Sequence, residues 1–169
     1  ADVAQGAAQR AAAIIRDGAG TRLDVQHKGA IDLVTHIDLA AESAIREYLQ
    51  SQTPDIPILA EEGGGPWDVD TRWIVDPLDG TTNFVHGYPS YAVSIGLQVE
   101  GQLEVGCILD AVNGLAYTAT RGAGAWCGDQ RLSVSTCSAL EQALLVTGFP
   151  YDRRTNVDRY LRYVREFLV

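Results

Sequence analysis

Apolar residues near the start of the chain recur at helical spacing. Val3, Ala7, Ala8, Ala11, Ile14 and Ile15 line one side of a helix that Asp17-Gly18 and Gly20 end. Ile37, Ala40, Ala41, Ala44, Ile45, Tyr48 and Leu49 follow the i, i+3, i+4, i+7 rule more closely still, and Pro54 and Pro57 close this second helix. Past Pro57 the period shortens. Residues 58–60 and 73–75 read as short buried strands, and the runs 91–99, 103–109 and 115–119 are separated by Glu100-Gly101 and Asn113-Gly114, dipeptides suited to tight hairpins. An antiparallel meander is predicted there. The Gly-rich region 122–135, with Trp126 and Cys127 inside it, predicts another strand pair near the sheet edge; residues 144–147 predict a further strand, and a terminal helix starts at Asn156. The fold class is α+β, a layered structure with helices packed on a largely antiparallel sheet.

Tyr160, Leu161, Val164, Phe167 and Leu168 keep helical spacing with no Gly, Asn or Pro stop after them. That pattern predicts a piece of a longer protein. Residues 1–150 would form an N-terminal α+β domain and 151–169 the start of a truncated C-terminal part.

Composition narrows the class. At 46% hydrophobic over 169 residues the chain can bury a core and is not a disordered polymer, and no run approaches the roughly 20 apolar residues of a membrane-spanning helix. A soluble protein with no membrane partner is expected. The Ala-rich start lacks the apolar core and basic leader of a secretory signal. Cys107, Cys127 and Cys137 are odd in number and form no C-x-x-C pair, so neither a disulfide framework nor a zinc knuckle is encoded and a reducing cytoplasm fits best. Cys107 and Cys127 read as buried small apolar residues.

Charge sets a further condition. With 13 Lys+Arg against 22 Asp+Glu, the net charge of -9 repels phosphate backbones, and direct nucleic-acid binding is not expected. A phosphorylated small molecule would need the field reversed locally, which cations held by clustered carboxylates can do.

Carboxylates and hydroxyls concentrate in four segments: 32–38, 59–65, 73–82 and 83–89. Asp76 follows an apolar strand, and Pro77 is expected to turn the chain so that Asp76 and Asp79 converge at the strand mouth; Glu61 and Glu62 end a second such strand. Converging carboxylates raise one another's pKa unless divalent cations neutralise them, and oxygen-only donors point to Mg²⁺, with Mn²⁺ the alternative and Zn²⁺ disfavoured. Next to them Gly80-Thr81-Thr82 brings backbone N–H groups to the start of a short helical turn, which accepts phosphate oxygens. Each segment alone has a plainer reading. Thr35-x-x-Asp38 resembles a capping box, Glu61-Glu62 a solvated pair beside a glycine loop, and Asp76-Pro-Leu-Asp79-Gly a turn.

Together they are specific. The run Trp73-Ile-Val-Asp-Pro-Leu-Asp-Gly-Thr-Thr-Asn-Phe-Val-His-Gly-Tyr-Pro89 with the following Ala-Val-Ser-Ile-Gly closely resembles the signature of the inositol monophosphatase family, members of the lithium-sensitive, Mg²⁺-dependent phosphatases. Glu61-Glu62 and the segment from Asp32 to Asp38 stand in the order and spacing of that family, from the first helix to about Thr147. The resemblance implies that Glu61, Asp76 and the Leu78 carbonyl hold a first Mg²⁺, that Asp76 and Asp79 share a second, and that Glu62 joins the catalytic group by helping to hold a weaker third. It implies that Thr81, hydrogen-bonded to Asp38, orients and helps deprotonate a metal-activated water that attacks phosphorus in line. The N–H groups of Gly80 and Thr81, with Thr82 beside them, would hold the phosphate, and Asp79 would touch a substrate hydroxyl.

The implied activity is hydrolysis of a small phosphorylated polyol, inositol monophosphate, to the alcohol and phosphate. A fructose 1,6-bisphosphatase is the nearest alternative, and a non-catalytic binding or regulatory module with this fold the alternative of another class. A homodimer is expected from family relatives. Those relatives continue into a second α/β domain that supplies another aspartate for the second Mg²⁺ and most substrate contacts, and no such element follows Phe149. Lys28 and Asp32 are expected near a mobile loop, His27 and His36 at the solvated surface, and His86 packing or capping near the site.

Overall fold

Helix α1 (Asp2–Gly18) buries Ala4, Ala7, Ala8, Ala11, Ala12 and Ile15 along one side in the computed structural model of the chain, which describes residues 1–27 and 33–168. Small side chains there let it pack closely on α2 (His36–Gln52). The buried stripe of α2 differs from the predicted one. Ile37, Ala41, Ile45 and Leu49 are buried, but Ala40 is exposed and Ala44 half-buried, while Asp38 and Glu42 are buried in their place. Carboxylates are rarely buried unless paired, and both find partners described below. Ile45 is fully buried between the layers. Ile45→Ala is expected to cost about 3 kcal/mol, the usual range for a buried large-to-small change, read as a lower urea midpoint with an unchanged slope.

Between the two helices, β1 (Val25–His27) and β2 (Leu33–Thr35) pair antiparallel, too short to show a period in the sequence. Lys28 and Asp32 lie outside the described residues.

Seven strands among the described residues form one sheet in chain order: β3 (Ile58–Ala60), β4 (Arg72–Asp79), β5 (Ala92–Val99), β6 (Gln102–Asp110), β7 (Leu115–Thr120), β8 (Gly124–Cys127) and β9 (Gln130–Leu132). β3 runs parallel to β4, and every other neighbouring pair is antiparallel. The α+β architecture, with helices on a largely antiparallel sheet, is therefore as expected. The helices cover one face, α1 over β5 and β6 and α2 over β4, on a core of Trp73, Val75, Val93, Ile95, Cys107 and Leu109. Trp73 satisfies its indole by donating Nε1–H to Thr53 Oγ1 at 2.9 Å. At the β5–β6 hairpin, Glu100 and Gly101 take φ of 50° and 77°, the left-handed pair that a tight turn of this hand requires.

Three expectations need correction. Pro77 does not turn the chain out of the strand: β4 continues to Asp79, and the irregularity lies in its pairing, where Asp76 faces Ser94 but Asp79 faces Ala92. Three steps on β4 thus oppose two on β5, which is a bulge. Residues 144–147 are not a strand; Leu144 and Val146 are each 93% exposed, and a lone extended segment has no ladder to join. Cys107 is buried as expected, whereas Cys127 is half-buried near the sheet edge.

The chain divides into two compact units, one over Ala1–Leu132 and a second over Ser133–Val169. The second carries short 3₁₀ turns at Leu140–Gln142 and Tyr151–Arg154 and a helix over Val157–Leu168. Within it Asp152 accepts hydrogen bonds from Asn156 and Tyr160, and the Phe149 and Tyr160 rings meet edge-on at 6.1 Å. Among the described residues no helix is long and apolar enough to cross a membrane.

Candidate functional site

The bulge in β4 is what brings two acids to one place. In a regular strand residues three apart point to opposite faces, and one extra residue restores them to the same side. Asp79 accordingly lies close enough for its charge to act on Asp76. Glu61, just past the end of the parallel neighbour β3, donates its N–H to the Val75 carbonyl at 3.0 Å, and its side chain shares a hydrogen bond with Asp76. Burial first, then the charges of Glu61 and Asp79, push the Asp76 carboxyl up to about 7, against the Leu78 N–H that Asp76 accepts at 3.1 Å.

The donor type fits a hard divalent cation, because the carboxylates of Glu61, Asp76 and Asp79 offer oxygen alone and positive charge would relieve the repulsion on Asp76. Among the described residues no three His, Cys, Asp or Glu side chains form a ready-made cage. Glu61 and Asp76, with Asp79 alongside, are the carboxylates that the fold brings together here.

A folded Asp76 pKa above its unfolded value means the folded chain binds the extra proton, so stability is present below about 4 and lost as pH rises through about 7. In EDTA, the melting temperature of Asp76→Asn should therefore gain on that of the unaltered protein between pH 4 and pH 7. Excess Mg²⁺ should close the gap. Circular-dichroism melts of the two proteins across this range check it.

Thr81 and Asp38 meet from elements 43 residues apart. The Thr81 hydroxyl, at the first residue of α3 (Thr81–Val85), donates to Asp38 Oδ1 at 2.8 Å, and it stands 3.0 Å from the Leu78 carbonyl. One proton cannot serve both, and the carboxylate is the stronger acceptor. Asp38 is 1% exposed, and its other oxygen accepts the Thr35 N–H at 2.8 Å and the Thr35 hydroxyl at 2.6 Å. The Thr35 hydroxyl in turn accepts the Ile37 N–H at 3.1 Å. Asp38 thus caps α2 and holds Thr81 at once, one oxygen to each task.

Gly80 opens α3 with φ of 96°, and a Cβ there would stand 2.9 Å from the Ser90 carbonyl oxygen, so glycine is required on both counts. Thr82 lies in the first turn of α3, where its carbonyl accepts the His86 N–H, and Phe84 anchors the helix edge-on against Tyr91 at 5.2 Å. His86 is the exposed C-cap residue of α3, held there through its backbone N–H, and His36 is exposed as expected, with Nδ1 accepting the Asp24 N–H.

Glu62 comes into the same loop as Glu61, and its backbone is held by residues that sequence reasoning missed. Glu42, one turn after Asp38 on α2, accepts the N–H of Glu62 at 2.9 Å and of Gly63 at 3.0 Å. Arg46, one turn further, donates to Glu42 at 2.7 Å and to the Gly64 carbonyl at 2.6 Å. The i, i+4 spacing of Asp38, Glu42 and Arg46 was the available signal, obscured because a charged residue at that spacing usually marks a solvated helix face.

Comparison with known proteins decides the family, since the sequence profile of the inositol monophosphatase family matches residues 1–167. The chain belongs to the inositol monophosphatase family. It is 38% identical over 174 residues to the chloroplastic phosphatase IMPL1 of Arabidopsis thaliana, covering 98% of this chain and 47% of that protein. It is 44% identical over 152 residues to the Nus factor SuhB of Pseudomonas aeruginosa, covering 86% of this chain and 56% of that one. Among solved members of the family, the inositol monophosphatase of Anabaena superposes with a TM-score of 0.78 at 38% identity, over 91% of this chain and 56% of the other. The extragenic suppressor protein suhB of Bartonella henselae superposes with a TM-score of 0.91 at 37% identity, over 99% and 65%. The chain spans about half the length of the curated relatives it matches.

Proposed function

We propose that this chain carries the metal- and phosphate-binding part of a Mg²⁺-dependent phosphomonoesterase that hydrolyses inositol monophosphate to inositol and phosphate. The observation that carries the reading is the Thr81–Asp38 hydrogen bond, set beside the Glu61, Asp76 and Asp79 carboxylates at one end of the sheet. A buried carboxylate holding a hydroxyl at the edge of a cation site has a use in hydrolysis that helix capping alone does not require.

Glu61, Asp76, Asp79 and the Leu78 carbonyl would hold Mg²⁺, or Mn²⁺ in its place, with Glu62 contributing to a weaker position. A cation bound there supplies positive charge to the transferring phosphoryl group and makes water more acidic. The chain's own residues do the rest. With its proton directed at Asp38 Oδ1, the Thr81 hydroxyl keeps its lone pairs for the attacking water; it would take a proton from that water while passing its own to Asp38, and would leave the Leu78 carbonyl to the cation. Gly80, Thr81 and Thr82 at the start of α3 would bind the phosphate, and Asp79 a hydroxyl of the polyol.

Phosphate release from inositol 1-phosphate by the full-length protein, with and without Mg²⁺ and with Li⁺ added, tests the reading. Mg²⁺-dependent, Li⁺-inhibited release supports it; faster release from fructose 1,6-bisphosphate would move the substrate to a sugar bisphosphate. A second reading, a cytoplasmic regulatory or binding module without turnover, is favoured by relatives named Nus factors. Partner binding that survives Asp79→Asn, with no phosphate release from any polyol phosphate, would establish it.

A further inference from the structure

Glu42 has no part in the chemistry just described, yet it is a buried carboxylate, 4% exposed, whose hydrogen bonds come from Arg46 and from the loop that carries Glu61 and Glu62. Its two oxygens receive two successive backbone N–H groups, those of Glu62 and Gly63, while Arg46 bridges from Glu42 Oε1 to the Gly64 carbonyl. Two donors and one acceptor of a single turn are thus tied to one edge of α2. Gly63 shows how close the fit is. A Cβ at that position would stand 2.5 Å from Glu42 Oε1 and 2.9 Å from Arg46 Nη2, so the loop backbone lies directly against the pair. The same helix edge carries Asp38 one turn earlier, which holds Thr81.

We propose that Glu42 and Arg46 are positioning residues for the cation site: a carboxylate–guanidinium clamp on α2 that sets where the Glu61 and Glu62 carboxylates stand relative to Asp76. The proposal rests on the cation-site reading above. Burying Glu42 beside two further acids is costly unless its charge is fully used, and the Glu62 and Gly63 N–H groups, together with the Arg46 cation, use it. The consequence is mechanical. The loop after β3 is rich in glycine and would sample many conformations by itself, so the entropy of arranging Glu61 and Glu62 would fall on cation binding; the clamp removes that cost in advance. Partners that orient metal ligands typically change affinity about 10- to 100-fold when removed.

The test is direct binding of Mn²⁺, followed by electron paramagnetic resonance, to the full-length protein and to Glu42→Gln, Arg46→Met and Arg46→Lys. Glu42→Gln is expected to weaken Mn²⁺ binding at least about 10-fold, because an amide accepts at one oxygen and turns an N–H₂ toward donors. Arg46 is partly exposed, so Arg46→Met leaves the core intact while freeing the Gly64 carbonyl, and should weaken binding in the same direction. Arg46→Lys, which keeps the charge but not the fork, should fall between. At saturating Mg²⁺ the kcat of these variants should stay within a few-fold of the unaltered protein, with the loss confined to the Mg²⁺ concentration needed.

Unchanged Mn²⁺ affinity in Glu42→Gln and Arg46→Met, with a lowered melting temperature as the sole effect, overturns the clamp and leaves the cation site standing. Failure of the unaltered protein to bind Mn²⁺, or binding by Asp76→Asn as tight as its own, overturns the cation-site reading itself.

Discussion

Asp76→Asn is expected to abolish hydrolysis, lowering kcat by about 10³-fold or more, because in the proposed scheme it would remove an anionic ligand shared between cations whose transition-state charge stabilisation is worth several kcal/mol. The structure says why this acid and not its neighbours should have the largest effect. Asp76 is the carboxylate on which burial, Glu61 and Asp79 all act, so it stands at the centre of the cluster. Asp79 and Glu61 are exposed at its edge. The amide is nearly isosteric and relieves repulsion in the cation-free fold, so a loss of activity cannot be put down to unfolding. Single-turnover phosphate release at several Mg²⁺ concentrations, alongside a thermal melt, checks both halves. Turnover at the unaltered rate would reject the metal scheme.

Thr81→Ala is expected to lower kcat by about 10²-fold with KM little changed, the usual size of a lost proton-transfer group. It is the cleaner probe of the Thr81–Asp38 pair. Changing Asp38 would also break the capping box of α2 and leave the Thr35 N–H and hydroxyl without their acceptor. Removing the Thr81 hydroxyl leaves the cap whole. Thr81→Ser should restore most of the rate, since it keeps the hydroxyl to which the proposal assigns the proton transfer. Steady-state kinetics on inositol 1-phosphate with all three proteins decides; an effect confined to KM would make Thr81 a substrate contact and no more.

Much of the site was legible before folding was considered. Asp76 and Asp79 stand at the end of an apolar strand, Gly80-Thr81-Thr82 follows at once, and Glu61-Glu62 ends another strand. The antiparallel meander was legible too, because alternation and turn dipeptides are local features. The misreadings were also local in kind. Pro77 is a turn residue by propensity, yet β4 runs through it, its missing N–H tolerated at the bulge where the ladder is already interrupted. Residues 144–147 have strand composition, but a strand exists only where another is available to pair with it.

Helix α2 separates the two kinds of information. Its period, its cap at Thr35 and its end before Pro54 follow from the sequence alone, since each depends on residues within about one turn of one another. Which of its edges is buried does not. Asp38 and Glu42 displaced Ala40 and Ala44 from the interior because partners waited there: a hydroxyl 43 residues away for Asp38, and two N–H groups 20 and 21 residues away for Glu42. A carboxylate is buried when enough donors converge on it, and that convergence is a property of how α2, the loop after β3 and the bulged end of β4 are stacked. The sequence by itself determined the longer elements and the acid-bearing motifs that carry the family resemblance; the tertiary structure decided which acids are paired, which are clustered, and which hold the others in place.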